Sequence, residues 1–380
     1  MLSEIKPALN IGPGAFIKEE LEARGWIQED LAEIVGLSPK HINELIKNKK
    51  PITIETARLL SSAFGQSPQY WINLDTNYRL RLKEDSHKLR GVETKSLIYR
   101  YMPVKEMFKK GWLKKQTSIE ALEHEVKKFW DKSKLDFSFL EIEPQPRFRK
   151  SEAFPQYNHY YALTWYRMAR NCAQKQKANK YKPEALKELS NQLHHYTMQA
   201  QGIEHFLHEL NSSGVKFFVL SHLQKTYIDG ASFYDGANPV IVYTRRYDRS
   251  DNFWFTVAHE IAHILLHLKN KDDYFLDNLE MLKTDKEREA NQLASRMIKS
   301  ESVLKWFKPF RKYVSEPRVL LCAQELQIHP SVIVGILQHH KMLDRRNLNK
   351  FKTSISERIP SKCLADKIKN GDLGCLCKPA

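Results

Sequence analysis

Residues 255–267 read FTVAHEIAHILLH, an apolar run broken only by three histidines, one glutamate and one threonine. Burying imidazoles and a carboxylate without partners is costly, so a segment otherwise fit for a hydrophobic core has to compensate them. His259 and His263 are four residues apart. On a helix that spacing sets both on one face, about 6 Å apart along the axis, where two imidazoles can take one Zn2+. Glu260 lies beside them, able to accept a proton from water at the metal. This is the H-E-x-x-H arrangement.

His267 continues the stripe but lies about 12 Å from His259 along the axis, too far to share one ion. It is expected to be structural or to stand behind the ligands. The longer pattern H-E-x-x-H-x-x-G-x-x-H is absent, because Leu266 and Lys269 occupy its glycine and final histidine positions. A third ligand must come from elsewhere, and the best source is TDKEREANQLASRMI, residues 284–298. Glu287 falls on a second helix with Asn291 one turn later, and the small Ala290 and Ala294 favour close helix packing. Thr284 and Glu287 also read as a T-x-x-E capping box, and Glu289 is a second candidate ligand. Spacing alone leaves these readings open.

Near the other end, residues 27–65 read IQEDLAEIVGLSPKHINELIKNKKPITIETARLLSSAFG. Leu31, Ala32 and Ile34 give a first helix an inward face, and Gly36 suits the turn that follows. Ser38 caps a second helix with Pro39 at its first position. Ile42, Leu45 and Ile46 then point inward, leaving Pro39, Lys40, His41 and Asn43 near an exposed N-terminal end. In a helix-turn-helix that end enters the major groove, with Lys47, Lys49 and Lys50 placed to meet phosphates. Gln28 and Ser38 complete the candidate DNA contacts.

The remaining composition fits this picture. With 380 residues the chain is long for one core. A 42% hydrophobic content excludes wholesale disorder, and a net charge of +16 suits a polyanionic partner. No run of 18 apolar residues suggests a membrane span, and MLSEIKPALNIGPG lacks the regions of a signal peptide. The five scattered cysteines suit a reducing cytoplasm. Cys363, Cys375 and Cys377 offer a weak metal motif.

Between the motifs, GVKFFVLSHL and NPVIVYTRRY read as strands, bounded by NSSG and DGASFYDGANP. They suggest a small antiparallel sheet whose edge, around 216–243, aligns an extended substrate. Helices are expected near 253–268, 285–299, 315–326 and 330–340. The fold expected is mainly α with that small sheet, an α+β class. Its parts are a helix-turn-helix domain at 1–82, a helical spacer at 83–200, a metallopeptidase domain at 201–345 and a polar tail at 346–380.

Residues 13–82 resemble the helix-turn-helix of the Cro/C1-type repressors, most closely the HigA antitoxin branch, through PGAFIKEELEARGW, QEDLAEIVGLS and ITIETARLLSSAFGQSPQYWINLDTNYRL. Ile27 departs from that pattern, which usually has a capping Ser or Thr there. Residues 200–345 resemble the ImmA/IrrE zinc metallopeptidases, a gluzincin-like domain, through GASFYDGANPVIVYTRRYDRSDNFWFTVAHEIAHILLH, EREANQLAS and ELQIHPSVIVGILQHH. The family's E-x-x-A-N motif maps the third ligand to Glu287, giving His259, His263 and Glu287 as metal ligands and Glu260 as catalytic base. The ending RMIKS departs from the family's usual apolar ending of that helix.

Together the resemblances imply a cytoplasmic, homodimeric regulator. It binds operator double-stranded DNA and cleaves a protein or peptide by zinc-dependent hydrolysis: a repressor, a toxin-antitoxin component, or itself within 83–98. The alternative is a non-catalytic HigA-like antitoxin that represses its own operon and neutralises a HigB-like toxin.

Overall fold

The computed structural model describes residues 10–82, 86–142, 156–271, 273–277, 284–310 and 313–365. The chain divides into two compact units, Met1–Glu93 and Thr94–Ala380.

The first unit is helical: α1 (Pro13–Arg24), α2 (Gln28–Val35), α3 (Pro39–Ile46), α4 (Ile54–Phe64) and α5 (Pro68–Arg81). Its core gathers Ile17, Leu31, Ile42, Leu45, Ala57, Leu60 and Trp71. Ile34, expected to point inward, is 50% exposed; Val35 takes the buried position one residue on. Helix starts are set by hydroxyls: Ser38, Thr53 and Ser67 accept the backbone N–H groups of His41, Thr56 and Tyr70. Each such cap is worth about 1 kcal/mol. The capless Ile27 is compensated differently, since the Asp30 carboxylate accepts its backbone N–H at 2.7 Å. The α2–α3 turn passes through Gly36 in the left-handed region, at φ 68°.

Helix α6 (Ser86–Tyr101) carries the boundary between the units, so most of the expected 83–98 connector is helical. The second unit continues with α7 (Val104–Lys109), α8 (Ile119–Trp130), α9 (Phe139–Ile142), α10 (His159–Ala173), α11 (Pro183–Met198) and α12 (Gly202–Ser212). Strands β1 (Lys216–Val219), β2 (Gly230–Asp235) and β3 (Asn238–Tyr243) precede α13 (Ser250–Leu266) and β4 (Tyr274–Asp277). The chain then forms α14 (Asp285–Met297), α15 (Ser300–Phe307), α16 (Glu316–Leu326) and α17 (Pro330–His339).

The sheet order is β1-β3-β2-β4. β2 pairs antiparallel with β3 and β4, but β1 pairs parallel with β3, with Phe217 opposite Ile241. The sheet is therefore mixed, correcting the antiparallel expectation. DGASFYDGANP also contains β2, where turn chemistry was expected. Of the 216–243 stretch, β2 and β3 are interior and only β1 lies at an edge, where Val219 bridges to Leu364.

Both faces of the sheet are covered, and the strand period of two decides which residue goes where. Phe217, Val219, Ile241 and Tyr243 join a core with α12 and α13. Phe218, Val240, Val242 and Phe233 join another with Tyr101, Met107, Val126, Trp165 and Met168. The expected spacer thus supplies the helical layer over the sheet's second face, from α6 to α10.

The expected polar tail also differs. Residues 366–380, with Cys375 and Cys377, lie outside the described residues, but Ile355, Ile359 and Cys363 are buried in the core of α12 and α13. Residues 352–356 hold the entry to α13. Thr353 O accepts the Ser250 N–H at 3.0 Å. Asp248 accepts from the Ile355 N–H and the hydroxyls of Ser354 and Ser356. Lys352 sits 2.8 Å from Asp251, its amine held below the ordinary value by burial against the opposing pull of that carboxylate.

Ile355 is fully buried, so Ile355→Ala should lower unfolding free energy by about 2–4 kcal/mol in a denaturant titration. A loss under about 0.5 kcal/mol, the surface value, would show that this segment is a tail after all.

Candidate functional site

Helix α13 is apolar on almost every side because it lies between the sheet and α11, α14 and α17. His259, Glu260 and His263 are fully buried within it. α14 packs alongside through Ala290 and Ala294, whose small side chains let the two backbones approach closely. That approach brings Glu287 to the histidines. His259 Nε2 lies 3.1 Å from Glu287 Oε2 and 3.0 Å from His263 Nε2, and His263 Nε2 lies 3.4 Å from Glu287 Oε1.

These separations test the donor set against a metal. Ligand atoms held about 2.0–2.1 Å from a tetrahedral Zn2+ are about 3.3 Å from one another. The two imidazole nitrogens are at about that spacing and each has one oxygen of the Glu287 carboxylate at it, Oε2 for His259 and Oε1 for His263; one ligand atom from each residue lies within 4.8 Å of the others. The three residues fit a zinc ion with one position left open.

Only the hydroxyl half of the expected capping box is present. Thr284 Oγ1 accepts the Glu287 N–H at 3.3 Å, so the hydroxyl caps α14 while the carboxylate is directed to the histidines. Glu289 goes elsewhere: its Oε2 is 2.9 Å from His267 Nε2, and its side chain is 61% exposed. His267 Nδ1 in turn lies 3.0 Å from His263 Nδ1. Burial lowers the His267 pKa, opposed by its hydrogen bond to Glu289. Asn291 is half-buried one turn beyond Glu287.

Two contributors were missed by sequence reasoning. Phe275 of β4 stacks on His263, with ring centroids 4.2 Å apart and planes 14° from parallel. Gly230 of β2 lies against α13, where an added Cβ would run into Glu260 Oε1 and come within 2.9 Å of Thr256 Cγ2. A glycine inside an otherwise β-branched and aromatic region can mark such a close approach, and that signal was readable in DGASFYD.

In the first unit Ser38, Pro39, Lys40, Lys47 and Lys49 are exposed, and Gln28, His41, Asn43 and Lys50 are half-buried. All lie on α2, on α3, at its N-cap or in the turn after it. Lys50 Nζ is 3.4 Å from His41 Nδ1, which ties that lysine to the start of α3. Asn48, not singled out from sequence, accepts the Gly14 N–H through Oδ1 at 2.8 Å. At Gly14 itself a Cβ would collide with the Ile46 carbonyl, so α1 and α3 pack backbone to backbone.

Comparison with known proteins agrees with both halves. Residues 17–71 match the helix-turn-helix family, and residues 198–334 match the IrrE N-terminal-like domain of the M78 peptidases. An uncharacterized HTH-type transcriptional regulator, YddM of Escherichia coli K12, is 31% identical over 93 residues, 24% of this chain and 99% of that protein. The chain belongs to the helix-turn-helix transcriptional regulators. Virulence-associated protein I of Dichelobacter nodosus is 37% identical over 75 residues, 20% of this chain and 69% of that protein. A further HTH-type regulator, from Haemophilus influenzae, is 32% identical over 78 residues, 20% of this chain and 71% of that protein. These relatives align with a quarter of the regulator or less; the IrrE-like domain extends beyond them. No single helix among the described residues is long and apolar enough to cross a membrane.

The contact at Gly230 gives a direct check. Gly230→Ala should push Glu260 aside and lower stability by about 1–3 kcal/mol, measured by urea unfolding. An unchanged midpoint would mean that Glu260 does not rest against β2.

Proposed function

We propose that this protein is a cytoplasmic, homodimeric operator-binding regulator whose second unit is a zinc-dependent endopeptidase. One observation carries the reading: the convergence of buried His259, His263 and Glu287, whose ligand atoms all lie within 4.8 Å of one another. A bound Zn2+ would supply Lewis acidity that polarises a peptide carbonyl and acidifies water.

The chain's own residues would do the rest. His259, His263 and Glu287 hold the ion. Glu260, on α13 and packed against Gly230 of β2, takes a proton from the attacking water and returns it to the leaving amine. The outer edge of β4, one strand from β2 and in contact with His263 through Phe275, is the edge that an extended peptide would pair with. The substrate class favoured is a protein regulator: a repressor or a toxin-antitoxin component. Cleavage of this chain in its own 83–98 stretch is disfavoured over 86–98, because α6 would have to unwind before pairing as a strand.

On the first unit, the N-terminal end of α3 would enter the major groove, with Gln28, Ser38, Pro39, Lys40, His41 and Asn43 facing DNA and Lys47, Lys49 and Lys50 meeting phosphates. Two copies would read paired half-sites. The IrrE-like half favours this regulator-peptidase over a purely antitoxin role, for which Glu260 has no use.

The test is metal content and hydrolysis of the purified chain. Wild type should carry zinc at one ion per chain and Glu287→Gln should lose it. Glu260→Gln should keep the metal but cleave a candidate repressor about 100- to 10,000-fold more slowly. A wild type that takes up no zinc when supplied would sink the peptidase reading and favour the non-catalytic antitoxin. For the DNA half, replacing Lys47 and Lys49 by alanine should reduce the slope of log affinity against log salt by about one per lost phosphate contact. An unchanged slope would place the DNA face elsewhere.

A further inference from the structure

His263 has two ring nitrogens, and they face different partners. Its Nε2 points to His259 and Glu287, 3.0 and 3.4 Å away. Its Nδ1 lies 3.0 Å from His267 Nδ1. A neutral imidazole carries its proton on one nitrogen only. If Nε2 offers its lone pair to a metal, the proton must sit on Nδ1, and His267 must accept it through its own Nδ1. The His267 proton is then on Nε2, which is 2.9 Å from Glu289 Oε2. One carboxylate at the surface therefore dictates the tautomer of two imidazoles in succession.

We propose that Glu289 and His267 are positioning residues, forming a carboxylate–imidazole relay that fixes the tautomer and ring orientation of His263 and so sets how tightly the centre holds its divalent metal. The inference rests on the metal-site reading above and assigns a use to two titratable groups beside the ligands, His267 at the end of α13 and Glu289 on α14. The geometry around the relay is consistent with holding a ring in place. Phe275 stacks on His263 and also lies 5.7 Å from the His267 ring, so His263 is clamped on its flat side while His267 holds its Nδ1 edge. The relay runs along one turn of α13 and crosses once to α14, at Glu289. It is two residues from Glu287, so the helix that supplies the ligand also supplies the orienting carboxylate.

The test uses the full-length chain and zinc itself, with affinity read by competition against a chromophoric chelator. Glu289→Ala and His267→Phe should each weaken zinc binding by about 10- to 100-fold, the usual effect of losing a partner behind a metal ligand. Glu289→Gln retains an oxygen that can accept from His267 Nε2, so it should recover part of the loss. Glu289 is 61% exposed, so its variants should fold with the wild-type thermal midpoint, which calorimetry checks. A second readout is independent of the metal: nitrogen-15 spectra of the zinc-free protein, above the imidazole titration range, should show His263 protonated at Nδ1 in wild type and as a tautomer mixture in Glu289→Ala. If both variants bind zinc within about twofold of wild type and leave the His263 tautomer unchanged, the relay is overturned while the metal site stands. If wild type binds no zinc, both fall together.

Discussion

Everything in the second unit depends on how α13 is buried. A helix that meets protein on almost every side has no cheap place for imidazoles and carboxylates, because polar groups removed from water must be satisfied by what surrounds them. α14 provides that satisfaction by lying close enough, over Ala290 and Ala294, to bring Glu287 within 3.1 Å of His259. The same proximity lets Glu289 reach His267. The close packing of α13 and α14 therefore brings two carboxylates of one helix to two imidazoles of the other segment.

The layers around this helix serve the same end. The sheet backs α13 on one side and is itself closed on its far side by α6–α10, leaving neither face of the sheet to solvent. Gly230 lets β2 approach Glu260 more closely than any side chain would allow. The 352–356 segment then ties the beginning of α13 through Ser250 and Asp251, using hydrogen bonds and a buried ammonium. The helix carrying the candidate ligands is thus held at its start, along its length and against its carboxylate partner.

The first unit is built on another economy. Its helices are short, and their starts are fixed by hydroxyl caps, early prolines and the left-handed Gly36. Where the pattern lacks a capping hydroxyl, at Ile27, Asp30 supplies half of a capping box from three residues on. The departure therefore costs the fold little. The polar ends of α3 remain outside because Ile42, Leu45 and Ile46 take up the inward stripe.

Much of this was legible in the chain because it is local. The i,i+4 spacing of His259 and His263, the caps at Ser38 and Thr284 and the inward stripe of α3 are set within a few residues, where helix geometry alone decides which side chains share a face. What spacing could not decide was non-local. Glu287 and Glu289 are both within reach of α13, and only the rotation of α14 about its axis shows that one meets His259 and the other His267. β2 was hidden because Gly-Ala-Ser has turn-like composition, whereas its glycine answers to a carboxylate thirty residues away. β1 joins the sheet parallel rather than antiparallel, and helices α6–α10 form a layer rather than a spacer. These follow from which faces remained apolar once the strands had paired. The polar composition of 346–365 concealed a few buried apolar anchors, and their contribution depends on the groove they fill, which exists only in the folded unit.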